Sequence, residues 1–296
     1  MTDRVNDEAA KARRRRLGAG VDLELELAQE EGIVGDAMRK RLLRRAQDLL
    51  WDAWDTPGVQ RRVRMAHRAL ELSPDAADAY VILAMDAATT PREEADLYRK
   101  GVDAGLRALG PRALSRYRGK FWHTIQTRPY MRALSGLAQA EWRMGNLPLA
   151  VEGCRQLIRL DPDDHIGIRY PLSHILLESG LDNEAHALFE TGDLSIEWQY
   201  GRALLAFRTL GAAEAAHEAI MDAFMWNPYV VRFFNGKKPL PTEPPWSYRE
   251  GTVSEAASYV FGAHRSWLGT PGAVEWLLAE DELPKPWRSP KKPQPT

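Results

Sequence analysis

Side chains that could bind a metal ion are sparse in this sequence. Seven histidines are scattered over 296 residues, and only His165 and His174, preceded by Asp163 and Asp164, form an acid–histidine cluster. Histidine ligands on one helix face lie about four residues apart, whereas nine residues separate this pair. The aspartates directly follow Leu160-Asp-Pro162, where carboxylates commonly cap the next helix. We therefore expect helix capping at this point, with no metal and no cofactor.

The usual motifs of catalysis are missing as well. The sequence has no glycine-rich phosphate loop, no His-Glu-x-x-His and no Gly-x-Ser-x-Gly. Its single cysteine, Cys154, has no histidine locally paired with it, and a lone cysteine usually behaves as a small buried apolar residue. We expect no enzyme. A catalytic site around His123, Asp163, His165 and His174 is the least favoured of three functional hypotheses.

Composition narrows the functional classes further. The 40 Lys and Arg residues nearly balance 41 Asp and Glu, for a formal net charge of -1. This balance disfavours a strongly basic nucleic-acid-binding domain. One cysteine excludes an intramolecular disulfide and a multi-cysteine zinc site. No apolar run approaches the ~20 residues that span a bilayer, so the sequence predicts a cytoplasmic protein without a membrane segment.

The elements that position the remaining residues follow from an internal repeat. Three apolar-periodic segments stop at a polar residue followed by proline: at Ser73-Pro74, Asp161-Pro162 and Asn227-Pro228. Proline ends a helix because it lacks an N–H and disfavours α conformation in the preceding residue. Pro228 lies 66 residues after Pro162, and Pro162 lies 88 after Pro74. These spacings indicate a period of about 34 residues with one insertion of about 20.

Aligning the prolines predicts where helices pack closely. Small residues fall at matching places in the second helices, at Ala66, Ala150 and Ala216, and glycine turns fall at Gly145 and Gly211. Small side chains recur where neighbouring helices leave no room for larger ones. Five imperfect helix-turn-helix units resemble a tetratricopeptide solenoid. We therefore predict an all-α fold, an α-solenoid of about five such repeats with a C-terminal capping helix pair.

The remainder of the chain is organised around these repeats. We predict a charged, largely disordered arm at 1–35 and a solenoid at 36–230 that carries an insertion at about 108–127. A proline-rich connector and two capping helices occupy 231–280, because a solenoid must cover its last apolar face. The proline-rich tail at 281–296 is expected to be disordered.

The C-terminal third carries a more specific resemblance. The string Ala223-Phe-Met-Trp-Asn-Pro228 leads through a proline-rich connector to Glu255-Ala-Ala-Ser-Tyr259 and Trp267-Leu-Gly-Thr-Pro-Gly-Ala-Val-Glu-Trp276. This pattern is similar to the suppression-of-tumorigenicity family. It is also similar to bacterial tetratricopeptide proteins that share an upstream Thr127-Arg-Pro-Tyr-Met-Arg132. The resemblance covers about 119–278 and implies an interaction scaffold with no catalytic residues. Animal members of the family are membrane-anchored, a property that this chain is not expected to share.

The tetratricopeptide resemblance also implies a groove lined by the first helix of each unit. The repeat register places an arginine and at least one tryptophan there in three units. Arginine offers a planar fork for carboxylates and tryptophan a rigid anchor, and both are enriched in binding hot spots. The competing interpretation assigns these tryptophans to the core and the arginines to a solvated face. The predicted groove residues are Arg44, Gln47, Trp51, Trp54, Arg132, Gln139, Trp142, Trp198 and Arg208.

The first functional hypothesis is therefore a non-catalytic scaffold or adaptor that binds a peptide or protein segment in this groove, with acidic segments among the candidates. A two-carboxylate clamp is not supported, because Ser135 and Gln139 occupy the places where it needs Lys and Asn. The second hypothesis is a nucleic-acid-associated regulatory adaptor, which overall neutrality disfavours. It would use the basic residues Arg13–Arg16, Arg39, Lys40, Arg41, Arg44, Arg45, Arg61, Arg62 and Arg64.

Overall fold

The computed structural model describes residues 35–282. Nearly all of the predicted N-terminal arm and of the predicted C-terminal tail lies outside the described residues. Within them the chain forms helices and no strand, which confirms the all-α fold class. The α-helices are α1 Asp36–Trp54, α2 Val59–Leu72, α3 Ala77–Asp86, α4 Pro91–Leu109, α5 Ala113–Arg116, α6 Arg128–Arg143, α7 Leu147–Leu160, α8 Arg169–Glu178, α9 Asp182–Phe189, α10 Ile196–Leu210, α11 Glu214–Trp226, α12 Val231–Phe234, α13 Val253–Leu268 and α14 Ala273–Glu282.

The chain divides into two compact units. Of the described residues, unit 1 comprises 35–144 with Arg159–Pro162, and unit 2 comprises Gly145–Ile158 with 163–282. In each unit consecutive helices pack in neighbouring pairs, as a helical repeat requires.

Unit 1 is built on close helix contacts between small residues. Helix α1 packs on α2, α3 on α4, and α6 on both α3 and α4. The predicted packing residue Ala66 is completely buried, and the same core contains Ala46, Ala69 and Leu50. Alanines at these crossings let the helix backbones approach, so the periodic small residues read from the sequence are indeed core positions.

The predicted insertion in unit 1 is a short irregular segment tied to the core. It contains α5 and a 3₁₀ turn at Ile125–Thr127. The Phe121 ring is fully buried, and the Thr127 hydroxyl donates hydrogen bonds to the carbonyls of Phe121 and Thr124. Arg128 lies 4.4 Å from the centre of the Trp122 ring and donates from Nε to the Trp122 carbonyl. These contacts hold the segment that leads into α6.

In unit 2 the C-terminal helices cover the first helix of each pair. Helix α8 packs on α9 and α10 on α11, while α13 contacts α8 and α10 and α14 contacts α10 to α13. The Tyr259 ring of α13 lies 5.5 Å from His174 of α8 and 5.2 Å from Tyr200 of α10. A Cβ on Gly262 would come within 2.6 Å of the His174 ring. The two predicted capping helices therefore pack along both helix pairs of unit 2 and cover more than the last repeat helix.

The Asn-Pro helix end in unit 2 is a hydrogen-bonded corner. The Asn227 carbonyl accepts from the Tyr200 hydroxyl at 2.5 Å, and its side-chain amide donates to Glu255 at 2.7 Å. Glu255 also accepts from the backbone N–H of Gly251 at 2.7 Å. Because Asn227 and Glu255 are buried, these bonds supply the partners that buried polar groups need. The corner thus joins α10, α11 and the start of α13.

The closest helix approach in unit 1 gives a test of the packing. A Cβ added at Gly136 of α6 would lie 2.2 Å from Cε1 of the buried Tyr98 ring on α4. We expect Gly136→Ala to destabilise the protein by about 1–3 kcal/mol, because overpacking forces the helices apart. Urea unfolding followed by circular dichroism measures the change. Gly35→Ala is the control, since its Cβ would meet nothing within 4 Å; equal stability of both variants would contradict the packing.

Candidate functional site

Three helices of unit 1 meet at one buried carboxylate. Asp78, in the first turn of α3, is completely buried. It accepts from Gln47 Nε2 of α1 at 2.8 Å. It also accepts from Arg132 of α6, with Nε at 2.8 Å from Oδ1 and Nη2 at 2.6 Å from Oδ2. The predicted groove residues Gln47 and Arg132 are therefore brought together, by a residue that the sequence analysis did not single out.

These hydrogen bonds offset the free-energy cost of burying the Asp78 carboxylate. An unpaired buried carboxylate would cost several kcal/mol, so it needs a cation and further donors. The fork of Arg132 supplies two parallel hydrogen bonds, the geometry in which arginine binds carboxylates most strongly. Its side chain remains 32% exposed. Arg132 is thus fixed in direction while still reaching the surface.

Exposed side chains flank this cluster along the same helices. Arg44 lies three residues before Gln47 and Trp51 four residues after it, and Trp51 is 48% exposed. Met85 lies seven residues after Asp78 and is 60% exposed. Residues three, four and seven apart share one side of a helix. We call Arg44, Gln47, Trp51, Asp78, Met85, Arg132 and Gln139 the first-helix face of unit 1.

Gln139 completes this face on α6. It lies seven residues after Arg132, is partly buried, and donates to the Ser135 hydroxyl at 3.2 Å. Ser135 and Gln139, which occupy the places where a two-carboxylate clamp needs Lys and Asn, are therefore hydrogen-bonded to each other. This side of α6 presents a polar surface beside Arg132.

Two of the predicted groove tryptophans in unit 1 belong to the core instead. Trp142 is buried and Trp54 is partly buried against the core residues of α1 to α4. They lie three residues after Gln139 and Trp51, which turns their rings by about 60° around the helix towards the neighbouring helices. The assignment of Trp142 to an accessible groove is wrong for this reason.

The register predicted for α10 in unit 2 is also wrong. Trp198 is 0% exposed, with its ring edge-on to Tyr170 at 5.8 Å and to Phe189 at 5.6 Å. The side of α10 that receives the C-terminal helices bears Tyr200 and Phe207, whose ring stacks on Trp276 at 4.7 Å. Trp198 therefore anchors α10 to the preceding helix pair and is unavailable to a partner.

Arg208 lies in a cleft of unit 2 but is held by internal hydrogen bonds. Its guanidinium donates to the Leu177 carbonyl and Asp182, each at 2.8 Å, and to the Thr270 hydroxyl at 2.9 Å. These bonds connect the α8–α9 turn, α10 and the α13–α14 turn. Arg208 thus acts as a structural tie. The cleft has a volume of about 600 Å³ and is lined by Leu177, Glu178, Gly180, Asp182, Phe207, Arg208, Gly211, Gly269, Thr270 and Pro271.

Two of the acid–histidine residues of unit 2, Asp164 and His174, have structural roles. The Asp164 carboxylate accepts from the backbone N–H groups of Ile168 at 2.8 Å and Arg169 at 2.9 Å, the helix capping expected from the sequence. His174 is buried, and burial lowers its pKa to about 4. The ring is therefore neutral at physiological pH and packs against Tyr259. Asp163, His165 and, in unit 1, His123 are exposed.

Arg62 and Arg39, from the basic residues of the second hypothesis, form ion pairs with aspartates. Arg62 binds Asp86 with two hydrogen bonds of 2.6 and 2.7 Å, and Arg39 lies 3.5 Å from Asp75. Lys40, Arg41, Arg44, Arg61 and Arg64 are exposed and Arg45 is partly buried. Arg13–Arg16 lie outside the described residues. Its ion pair with Asp86 thus makes Arg62 a poor candidate for a phosphate contact.

Asp78 and Met85 are the residues that sequence reasoning missed in the first-helix face. Helix α3 begins at Ala77, three residues after the helix-ending Pro74, so Asp78 lies in its first turn.

Comparisons with known proteins support part of the resemblance. The chain is 29% identical over 268 residues to a "Suppressor of tumorigenicity 7 protein-like" of Bos taurus, covering 79% of this chain and 46% of that protein. It is 25% identical to "Protein ST7 homolog" of Drosophila pseudoobscura pseudoobscura, covering 82% and 48%. It is 28% identical to the human "Suppressor of tumorigenicity 7 protein-like", covering 79% and 45%. The chain therefore spans about half the length of these relatives.

No family model matches the sequence. Among the described residues, no helix combines the length and the apolar character that crossing a bilayer requires.

Removing the Asp78 carboxylate tests the junction of the three helices. We expect Asp78→Ala to lower the free energy of unfolding by about 3 kcal/mol, because Arg132 and Gln47 lose their shared acceptor. Asp96→Ala is the control; its pair with Arg99 is exposed and should contribute less than about 1 kcal/mol. Urea denaturation of both variants gives the comparison. Equal losses would show that Asp78 does not join the helices.

The reactivity of Cys154 tests the expectation of an inert thiol. The side chain is completely buried, and burial raises its pKa to about 12. Since the thiolate is the reactive form, the native protein should resist iodoacetamide at about pH 8, whereas the guanidinium-unfolded chain, with a thiol pKa of about 8.5, should be alkylated fully. Intact-mass spectrometry counts the adducts. Rapid alkylation of the native protein would contradict a buried thiol.

Proposed function

We propose that the chain is a non-catalytic interaction scaffold of tetratricopeptide-like character that binds an acidic segment of a partner protein on the first-helix face of unit 1. The observation that carries the proposal is the pairing of exposed apolar and basic side chains on this face. Trp51 and Met85 are large apolar residues left exposed. Arg44 lies on the side of α1 that carries Gln47, a ligand of Asp78. Arg132 of α6 binds Asp78 directly.

Each type of side chain would contribute a different part of the binding. The Trp51 ring offers a rigid aromatic anchor, and the unbranched Met85 side chain adapts to an irregular apolar surface. Arg44 would form charge-assisted hydrogen bonds to a carboxylate. Because Asp78 already neutralises much of the charge of Arg132, Arg44 would carry most of the preference for acidic ligands.

The fold supports a scaffold role without naming a partner. Consecutive helix pairs that bury small residues between them present first helices side by side, an arrangement that repeat proteins use for extended ligands. The names of the similar proteins state no binding partner. The acidic class of ligand therefore rests on the side chains of this face.

Peptide titration tests the proposal. A fluorescein-labelled peptide alternating Glu and Leu is titrated with the protein at low salt, and fluorescence anisotropy reports the dissociation constant. Arg44→Gln and Trp51→Ala should each weaken binding about fivefold or more, since hot-spot truncations cost over about 1 kcal/mol. Matched controls are Arg92→Gln, an exposed arginine of α4, and Trp246→Ala, a fully exposed tryptophan in unit 2; both should bind like the parent protein.

Two outcomes would overturn the proposal. One is an affinity that Arg44→Gln and Trp51→Ala leave unchanged, which would remove the face from binding. The other is binding of duplex DNA that weakens with added salt and with Arg44→Gln while the peptide does not bind, which would favour the nucleic-acid hypothesis.

A further inference from the structure

A second exposed surface, in unit 2, combines aromatic and acidic side chains. Tyr248 is 57% and Leu194 70% exposed, and Tyr170 is exposed as well. The Tyr170 hydroxyl donates to the Asp193 carboxylate at 3.2 Å. Burial raises the pKa of both tyrosines, and the negative charge of Glu197 raises both further. We call Tyr170, Asp193, Leu194, Glu197 and Tyr248 the Tyr170 patch.

The patch is held by rigid parts of unit 2. Tyr170 belongs to the first turn of α8 and Glu197 to the first turn of α10. The buried Trp198 ring supports the Tyr170 ring from below at 5.8 Å. Ser195, which caps α10 by accepting from the Trp198 N–H, fixes the backbone next to Asp193 and Leu194. The Tyr170 ring and the segment that carries the two carboxylates are therefore anchored at helix ends, whereas Tyr248 lies in the connector that precedes α13.

The Asp193 and Glu197 carboxylates contribute negative charge to this surface. Burial raises the pKa of Glu197, and the negative charges of Glu255 and Asp193 raise it further. Glu255 is already satisfied by Asn227 and Gly251. Arg249 and Glu250, which follow Tyr248, are both exposed and balance each other in charge. The five residues of the patch thus include two carboxylates and no basic side chain, beside two exposed aromatic rings.

We propose that the Tyr170 patch binds a lysine- or arginine-bearing segment of a partner protein. A cation lying over a tyrosine ring is attracted by its negative face, and the Asp193 and Glu197 carboxylates accept charge-assisted hydrogen bonds from the same group. Leu194 offers apolar contact for the aliphatic part of a long basic side chain. Charge complementarity selects a basic segment over an acidic one, so this surface differs from the first-helix face in the ligand it accepts.

The test uses two labelled peptides that differ only in charge, one alternating Arg and Ser and one alternating Glu and Ser. In an Arg44→Gln, Trp51→Ala background, which lacks the proposed acidic-ligand contacts of unit 1, the full chain should bind the arginine peptide and not the glutamate peptide. Glu197→Gln and Tyr248→Ala should each weaken this binding about fivefold, an effect expected of losing one cation contact. Control variants are Glu218→Gln, an exposed acid of α11, and Leu210→Ala, which removes a side chain as exposed as Tyr248.

Folding and specificity are checked with the same variants. Glu197→Gln should keep or raise the melting temperature, because burial disfavours its charge in the folded state. A folded Glu197→Gln or Tyr248→Ala protein that binds the arginine peptide with parental affinity would overturn the proposal. So would equal binding of both peptides in the Arg44→Gln, Trp51→Ala background, or self-association that Glu197→Gln abolishes. Arg44→Gln should leave this binding unchanged, so its outcome is independent of the proposed function of unit 1.

Discussion

The buried carboxylate of Asp78 is the constraint on which the arrangement of unit 1 depends. A charge removed from water must find compensating charge and hydrogen bonds, and here these come from α1 and α6. The apolar contacts among alanines stabilise the helices without strongly specifying their register. The directional bonds to Asp78 do specify it. A consequence is that Arg132 has a defined orientation before any ligand arrives, which reduces the entropy that binding would cost.

Local rules made much of the fold predictable from the sequence. Proline after a polar residue ends α2 and α11, as predicted. Gly145 and Gly211 adopt the positive φ that their turns require. Ala66 and Ala216 are completely buried, because their small size reflects contact with a neighbouring helix. Each of these features depends on nearby residues, so one sequence is enough to reveal it.

The candidate site could be predicted only in part, because the exposure of a side chain depends on how the helices pack against one another. Trp51 and Trp54 lie on one helix, three residues apart, yet only the first ring is exposed. Nothing in their residue type distinguishes them. The error at Trp198 had the same origin, since a shift of a few residues in register changes which side of α10 faces its neighbours. Asp78 was missed because a buried ion pair between α3 and α6 joins residues 54 positions apart.

The covering of α8 and α10 by α13 has a practical consequence for studies of this chain. A chain ending before Val253 would lose Tyr259 and Trp267, and the rings of His174 and Tyr200 that they cover would be left facing water. The resulting apolar surface would attract other helices without any biological selection. Proteins that bind only such truncated chains would therefore be binding the surface that α13 normally covers. Searches for partners should use a chain that includes α13.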